Sequence, residues 1–191
     1  MENEARSTMT LPMPATLRDG REVVLREIGA QDEKELVEAF ERLSAESRYT
    51  RFMIPLRELS PRMLAAATHP VPGRDVALVA IKGEGDDEDI VAGARYVGAP
   101  GSDVCEFAVT VADDWHGLGL AGRLLELLIA RARERGLRCM EGSVLATNTP
   151  MRRLAKRLGF SDRPCPDDAT LRLVSLSLAG GDSVDRGAGI A

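Results

Sequence analysis

At 191 residues, 44% of them hydrophobic, the chain is long enough for one domain with a real core and too short for several. A net charge of −5 and only four Phe, two Tyr and one Trp argue against a general nucleic-acid binder. No apolar run approaches the roughly 20 residues that a membrane helix needs. The charged stretch Met1 to Met9 is not a secretory signal. Cys105, Cys139 and Cys165 form no C-x-x-C pair and read as reduced thiols of a cytoplasmic protein. With His69 and His116 the only histidines, no metal site is expected.

In chain order, residues 1–15 contain Pro12 and Pro14 without periodicity and read as a flexible leader. Glu22 to Ile28 has strand character. Asp32 to Leu43 places Leu36, Val37, Phe40 and Leu43 at helical spacing. Ser60-Pro61 is a helix start leading into Met63 to Ala67. Asp75 to Ile81 and Ile90 to Val97 read as a hairpin around the acidic, Gly-bearing turn Gly83 to Asp89. Val104 to Val111 is a strand. Gly119 to Arg135 is a helix with an apolar stripe at Leu120, Leu124, Leu127, Leu128 and Ala132. Arg138 to Leu145 is a strand, Pro150 to Leu158 a helix and Leu171 to Leu178 a last strand, followed by a Gly- and Asp-rich tail, 179–191, expected to be disordered. The order predicts a single α/β domain over 16–178, with helices flanking a mixed sheet.

Charge is unevenly spread. Residues 1–115 hold 13 Lys/Arg against 22 Asp/Glu, whereas residues 116–160 hold 9 against 3. An acidic chain with one basic segment points to an anionic ligand there, and the alternative is that Arg131, Arg133, Arg135 and Arg138 are a solvated helix face and its exit. Within that segment a strand leads to Asp113-Asp114-Trp115-His116-Gly117-Leu118-Gly119-Leu120-Ala121-Gly122-Arg123 and then to the long helix. Glycines admit a ligand close to backbone, and a helix start offers free N–H groups at a positive dipole end, which together suit a phosphate. Trp115 reads as a packing anchor and His116 as a turn residue near the phosphates. Gly117-x-Gly119-x-x-Gly122, with Glu141 about 20 residues on, also satisfies a dinucleotide fingerprint. Five residues separate that turn from the strand end and three strands precede it, contrary to the fingerprint's usual context.

The stretch His116-Gly117-Leu118-Gly119-Leu120-Ala121 resembles the acyl-CoA-binding motif of the GNAT superfamily of N-acetyltransferases, with His where that motif has Gln or Arg. Asn148-x-x-Met151-x-x-Leu154-x-x-x-Leu158-Gly159-Phe160 matches a second motif of the superfamily. Leu43 to Phe52, Arg57-Glu58-Leu59-Ser60 and Glu106-Phe107-Ala108-Val109 resemble the acetyltransferase domain of bacterial protein lysine acetyltransferases. Those enzymes act on a lysine of acyl-CoA synthetases and often carry a regulatory domain, for which this chain has no room. The resemblance implies a GNAT-like, mostly antiparallel sheet whose strands around Val109 and Val144 splay apart, and acetyl-CoA as co-substrate. It implies a pyrophosphate held by N–H groups from Leu118 to Arg123 with His116 and Gly117 beside it, and a pantetheine arm paired with Val109 and Val111 and passing Asn148. Asn148 equally reads as a helix cap. Arg123, Arg152, Arg153 and Lys156 are candidates for the adenosine end.

The acceptor expected from the resemblance is a primary amine, a protein lysine in particular; a small-molecule amine acceptor or a catalytically silent acyl-CoA sensor would share the same turn. Glu106, between Cys105 and Phe107, is the expected general base, burial there favouring proton uptake by a carboxylate; the alternative places it on a solvent face. Many GNAT enzymes use a Tyr five residues before the Phe of the Gly-Phe pair, where this chain has Ala155, so water is the expected proton donor to the leaving thiolate.

Overall fold

The computed structural model describes residues 10–83 and 85–179. Among them one eight-stranded sheet runs β1 (Met13–Thr16), β2 (Glu22–Glu27), β3 (Val76–Lys82), β4 (Asp89–Gly98), β5 (Val104–Val111), β6 (Cys139–Leu145), β8 (Leu171–Ser177), β7 (Ser161–Pro164). All neighbours are antiparallel except β5 and β6, which pair in parallel over Val104–Glu106 and Cys139–Glu141. The predicted mixed sheet is therefore the one that forms. A doubly wound parallel sheet, which the dinucleotide reading required, does not.

Residues 13–15 of the expected leader instead form β1, and residues 1–9 and 180–191 lie outside the described residues. Proline hid this strand: Pro14 stands opposite Val24, in an edge strand. The Leu17 N–H bonds the Arg21 carbonyl, so alternation turns Pro14 away from β2, where a missing donor costs nothing. The other edge, β7, was missed because Ser161–Pro164 is short, polar and mostly exposed.

Helices cover both faces. α4 (Leu120–Glu134) and α5 (Thr149–Arg157) share one core with Leu78, Ala80, Ala94, Tyr96 and Phe107. The predicted stripe of α4 is buried throughout, and each Leu there contributes roughly 1.5–3 kcal/mol of transfer free energy. α1 (Glu33–Arg42), α2 (Ala45–Phe52) and α3 (Pro61–Thr68) form the other layer, where Leu36 and Ala39 of α1 meet Ala77, Val79 and Ile81. Both sets of alternating β3 residues are thus covered, which explains its unbroken apolar run. None of these helices is long and apolar enough to cross a membrane.

Two contacts fix the geometry between β5 and its surroundings. Where β5 and β6 part, the Phe107 ring lies across Gly142: a Cβ on Gly142 would stand 2.9 Å from Phe107 Cε1. Phe107 also packs at 60° on Phe160, centroids 5.2 Å apart. On the other face, Asp113 accepts from the Ser44 N–H at 2.9 Å, Ser44 Oγ at 2.9 Å and Ser47 Oγ at 2.6 Å. Ser44 is the N-cap of α2 and also accepts from Ser47 N–H. Asp113 is thus the clamp that ties α2 to the end of β5. Burial works to raise its pKa, but the donors of Ser47 and Ser44 prevail and hold the carboxyl below its ordinary 3.8.

Gly142→Ala is expected to cost about 1–3 kcal/mol of overpacking, seen as a lower urea midpoint at unchanged m-value; an unchanged midpoint would show that the Phe107 ring yields freely. A lowered folded-state pKa means that the clamp's stabilisation is complete above pH 3.8 and is lost as pH falls through the lowered value. Asp113→Ala should therefore cut amide-exchange protection over Ala45–Phe52 at neutral pH by about tenfold. In the wild type the same loss should appear only on acidification below the ordinary carboxyl range, and the variant should show no further loss there.

Candidate active site

The parting of β5 and β6 opens a cleft of about 310 Å³. Its walls are Glu106 to Val109 of β5, Ser143 and Val144 of β6, Asn148 and Met151 at the start of α5, and Thr50 to Met53 at the end of α2. Ala112 N–H bonds Val91 of β4. By alternation Val109 and Val111 therefore turn their backbone groups away from β4 toward the gap. The Val109 groups remain open to the gap. The Val111 carbonyl does not, because His116 Nε2 donates to it at 2.9 Å. His116 is thus a turn residue, as predicted, and it closes one end of the free edge.

Beyond it, Gly117 (φ +77°) and Gly119 (φ +97°) take the left-handed region, which only glycine adopts without strain. Gly119 caps α4. The N–H groups of Leu120, Ala121 and Gly122 precede the first intrahelical bond, made by Arg123 N–H to the Gly119 carbonyl at 3.1 Å. With Leu118 before them they form the N-terminal turn that suits a diphosphate.

Arg123 itself does not join this turn: its N–H is spent in the helix, and its guanidinium donates to the Thr16 carbonyl of β1 at 2.8 Å. Gly122 is buried, and a Cβ there would meet Arg157 Nη2 at 3.4 Å and Leu154 at 3.5 Å. This glycine serves close packing of α4 on α5 as well.

Sequence reasoning missed the grip on this turn. The β1–β2 hairpin sends Arg18 to the Gly117 carbonyl at 3.3 Å and Arg21 to the Asp114 carbonyl at 3.1 Å, and Arg21 also lies 4.1 Å above the centre of the buried Trp115 ring. Trp115 is the packing anchor predicted. Contacts across 93 to 99 positions leave no local signal. Arg157, beside Gly122, was also missed, although it continues the basic face of α5.

The basic segment does not act as one patch. α4, with 15 residues, spans about 22 Å, so Arg131 to Arg138 stand at the end far from the glycine turn. There Arg131 pairs with Glu134 at 3.0 Å, Arg135 donates to the Asp75 carbonyl at 3.0 Å and Arg138 lies 3.7 Å from Asp103. These arginines form the largely solvated helix face and exit of the alternative reading. Arg152 is also committed, to Asp162 at 2.9 Å and the Ala146 carbonyl at 3.1 Å. Arg153 and Lys156 are exposed on α5. Asn148 does cap α5, accepting from Met151 N–H at 3.1 Å, and it also lines the cleft.

Glu106 departs from the expectation of burial. It is exposed, while Cys105 and Phe107 on either side are buried, because neighbours on a strand point to opposite faces. Its exposed face is the cleft. Burial pushes the Cys105 thiol up to about 12, which fits an inert core thiol. Ala155 is fully buried and Tyr96 lies in the α4 core, so neither supplies a hydroxyl to the cleft. Among the described residues no group of three or more His, Cys, Asp or Glu could hold a metal ion.

The chain is similar to known proteins in sequence and in fold. The profile of the Acetyltransferase (GNAT) family matches residues 57–160. Acetyltransferase PA5475 of Pseudomonas aeruginosa is 36% identical over 163 residues, 85% of this chain and 88% of that protein. Acetyltransferase Pat of Mycolicibacterium smegmatis is 29% identical over 154 residues, 78% of this chain and 44% of that longer protein. The GNAT domain of S. lividans PAT superimposes with a TM-score of 0.77 at 31% identity, covering 86% of this chain and 96% of the domain. With its glycine turn, parted strands and flanking helices in this order, the chain belongs to the GNAT acetyltransferase family.

Proposed function

We propose that the protein moves an acetyl group from acetyl-CoA to a primary amine, a protein lysine ε-amine in particular. The observation that carries this reading is the position of Glu106: a carboxylate on the cleft side of β5, three residues before the free backbone groups of Val109. The pyrophosphate sits on the N–H groups of Leu118 to Gly122, and the pantetheine arm lies along the free edge of β5 past Asn148. This brings the thioester into the β5–β6 gap. A lysine amine is protonated at neutral pH, with an ordinary pKa of about 10.4, and must lose a proton before it attacks. Glu106, directly or through a water it holds, accepts that proton. The amine nitrogen bonds to the thioester carbon, the C–S bond breaks, the nitrogen releases its second proton to solvent, and solvent protonates the departing thiolate. The kinship with the domain of S. lividans PAT supports a lysine acceptor. An acyl-CoA synthetase is the first candidate partner, in a reducing cytoplasm that suits the three free cysteines.

Glu106→Gln is expected to leave acetyl-CoA affinity, measured by calorimetry, unchanged and to lower turnover by about 10²-fold or more. A rate unchanged across the alkaline range would remove Glu106 from the role of base. Acetyl-CoA binding with no acceleration of CoA release by lysine peptides, small amines or lysates would favour a silent sensor.

A further inference from the structure

A second chamber, of about 390 Å³, adjoins the cleft under α1–α3. Its walls include Phe40, Phe52, Leu59 and Met63 on the helix side, and Val79 and Ala108 on the sheet. Two guanidinium groups enter this apolar space, Arg51 from α2 and Arg95 from β4. Arg51 lies 4.8 Å from the centre of the Phe52 ring. Neither guanidinium has a hydrogen bond or an ion pair among the described residues. Other partly buried arginines are paired with acids: Arg26 with Asp32 at 2.7 Å, Arg152 with Asp162 at 2.9 Å and Arg172 with Asp162 at 2.6 Å.

The two unmatched cations are costly where they stand. Burial pushes the Arg51 pKa down to about 10, with repulsion from Arg95 adding to the effect and attraction by Glu106 opposing it. Burial lowers that of Arg95 too, against the pull of Asp75. Asp75 is already engaged by Arg74 at 2.9 Å. A half-buried cation of this kind is stabilised when an anion meets it.

The register sets where such an anion would lie. Arg95 stands opposite Ala108, and Glu106, two residues along β5 on the same face, stands opposite Val97. Diagonal neighbours of this kind are about 7–8 Å apart. Arg51 lines both the chamber and the cleft. One continuous surface therefore offers a carboxylate at the thioester end and two guanidiniums deeper in.

We propose that the chamber seats the acceptor and that Arg51 and Arg95 grip a carboxylate carried by the acceptor several ångströms from its amine. This inference rests on the acetyl-transfer reading above. A planar carboxylate matches the guanidinium fork, the apolar walls take the body between the two ends, and Glu106 faces the amine. The carboxylate can belong to a small amino acid or to an acidic residue flanking an acceptor lysine.

The test is binding to the protein saturated with CoA, measured by calorimetry with two pairs of probes. One pair is ε-aminocaproate and its amide; the other is the blocked tripeptides Leu-Lys-Glu and Leu-Lys-Gln. The carboxylate member of at least one pair should bind about tenfold tighter or better, and that preference should fall below about twofold in Arg95→Met and in Arg51→Met. The pair that shows it identifies the source of the carboxylate. Both variants should melt at or above the wild-type Tm, since each removes a partly buried charge that has no hydrogen bond or ion pair. Equal affinities within both pairs in the wild type, or a marked loss of Tm in both variants, would overturn the proposal. Because CoA supports no transfer, a carboxylate preference in a protein that acetylates no amine would leave this inference standing and overturn the catalytic reading alone.

Discussion

A β-sheet that stops pairing in its middle leaves backbone donors and acceptors that need another partner, and this molecule is arranged around one such interruption. β5 and β6 share three residue pairs and then separate. On one face Phe107 lies over Gly142 at the fork, so the α4 core stays sealed while the strands diverge. His116 takes the Val111 carbonyl. What remains open, around Val109, is a short stretch of strand edge leading from the glycine turn to Glu106. The helix start, the edge and the carboxylate thus follow one another along fewer than twenty residues of chain.

The opposite face depends on a different kind of contact. α2 has no buried residue of its own, and its packing rests on Phe52 and Arg48 against the Phe40 ring. Asp113 adds a polar hold through Ser44 and Ser47. The residue that ends β5 thereby also positions Arg51, Phe52 and Met53 over the cleft. On the cofactor side the β1–β2 hairpin does the equivalent for the glycine turn through Arg18 and Arg21.

Strongly periodic segments were legible in the sequence because their burial is one-sided: the α4 stripe and the strands from β3 to β6 formed where expected. The glycine turn at Gly117 and Gly119 and the Asn148 cap of α5 were also legible, since such features are local. Other features depend on the fold. β1 carries prolines that only an edge tolerates, and β7 has no apolar pattern. Asp113 and Arg18 act across 66 to 99 positions. Glu106 was expected to be buried because its neighbours are apolar, yet period-two alternation gives it the opposite face from both. Arg95 had a signal that went unused: it is the one basic residue in the otherwise apolar run Ile90 to Val97. The basic run was misleading as a whole, because helix length separates in space what sequence places together.

The sheet's two margins carry a consequence for the protein at high concentration. β1 is four residues long, carries Pro14 turned outward, and has its Thr16 carbonyl taken by Arg123. β7 is equally short and ends at Pro164. A neighbouring molecule that sought to extend the sheet would find few consecutive donors and acceptors at either margin. Among the described residues the sheet's outer margins are thus blunted, and the backbone edge open to strand-like pairing is the internal one at the β5–β6 fork, where a slender chain can enter and a second sheet cannot.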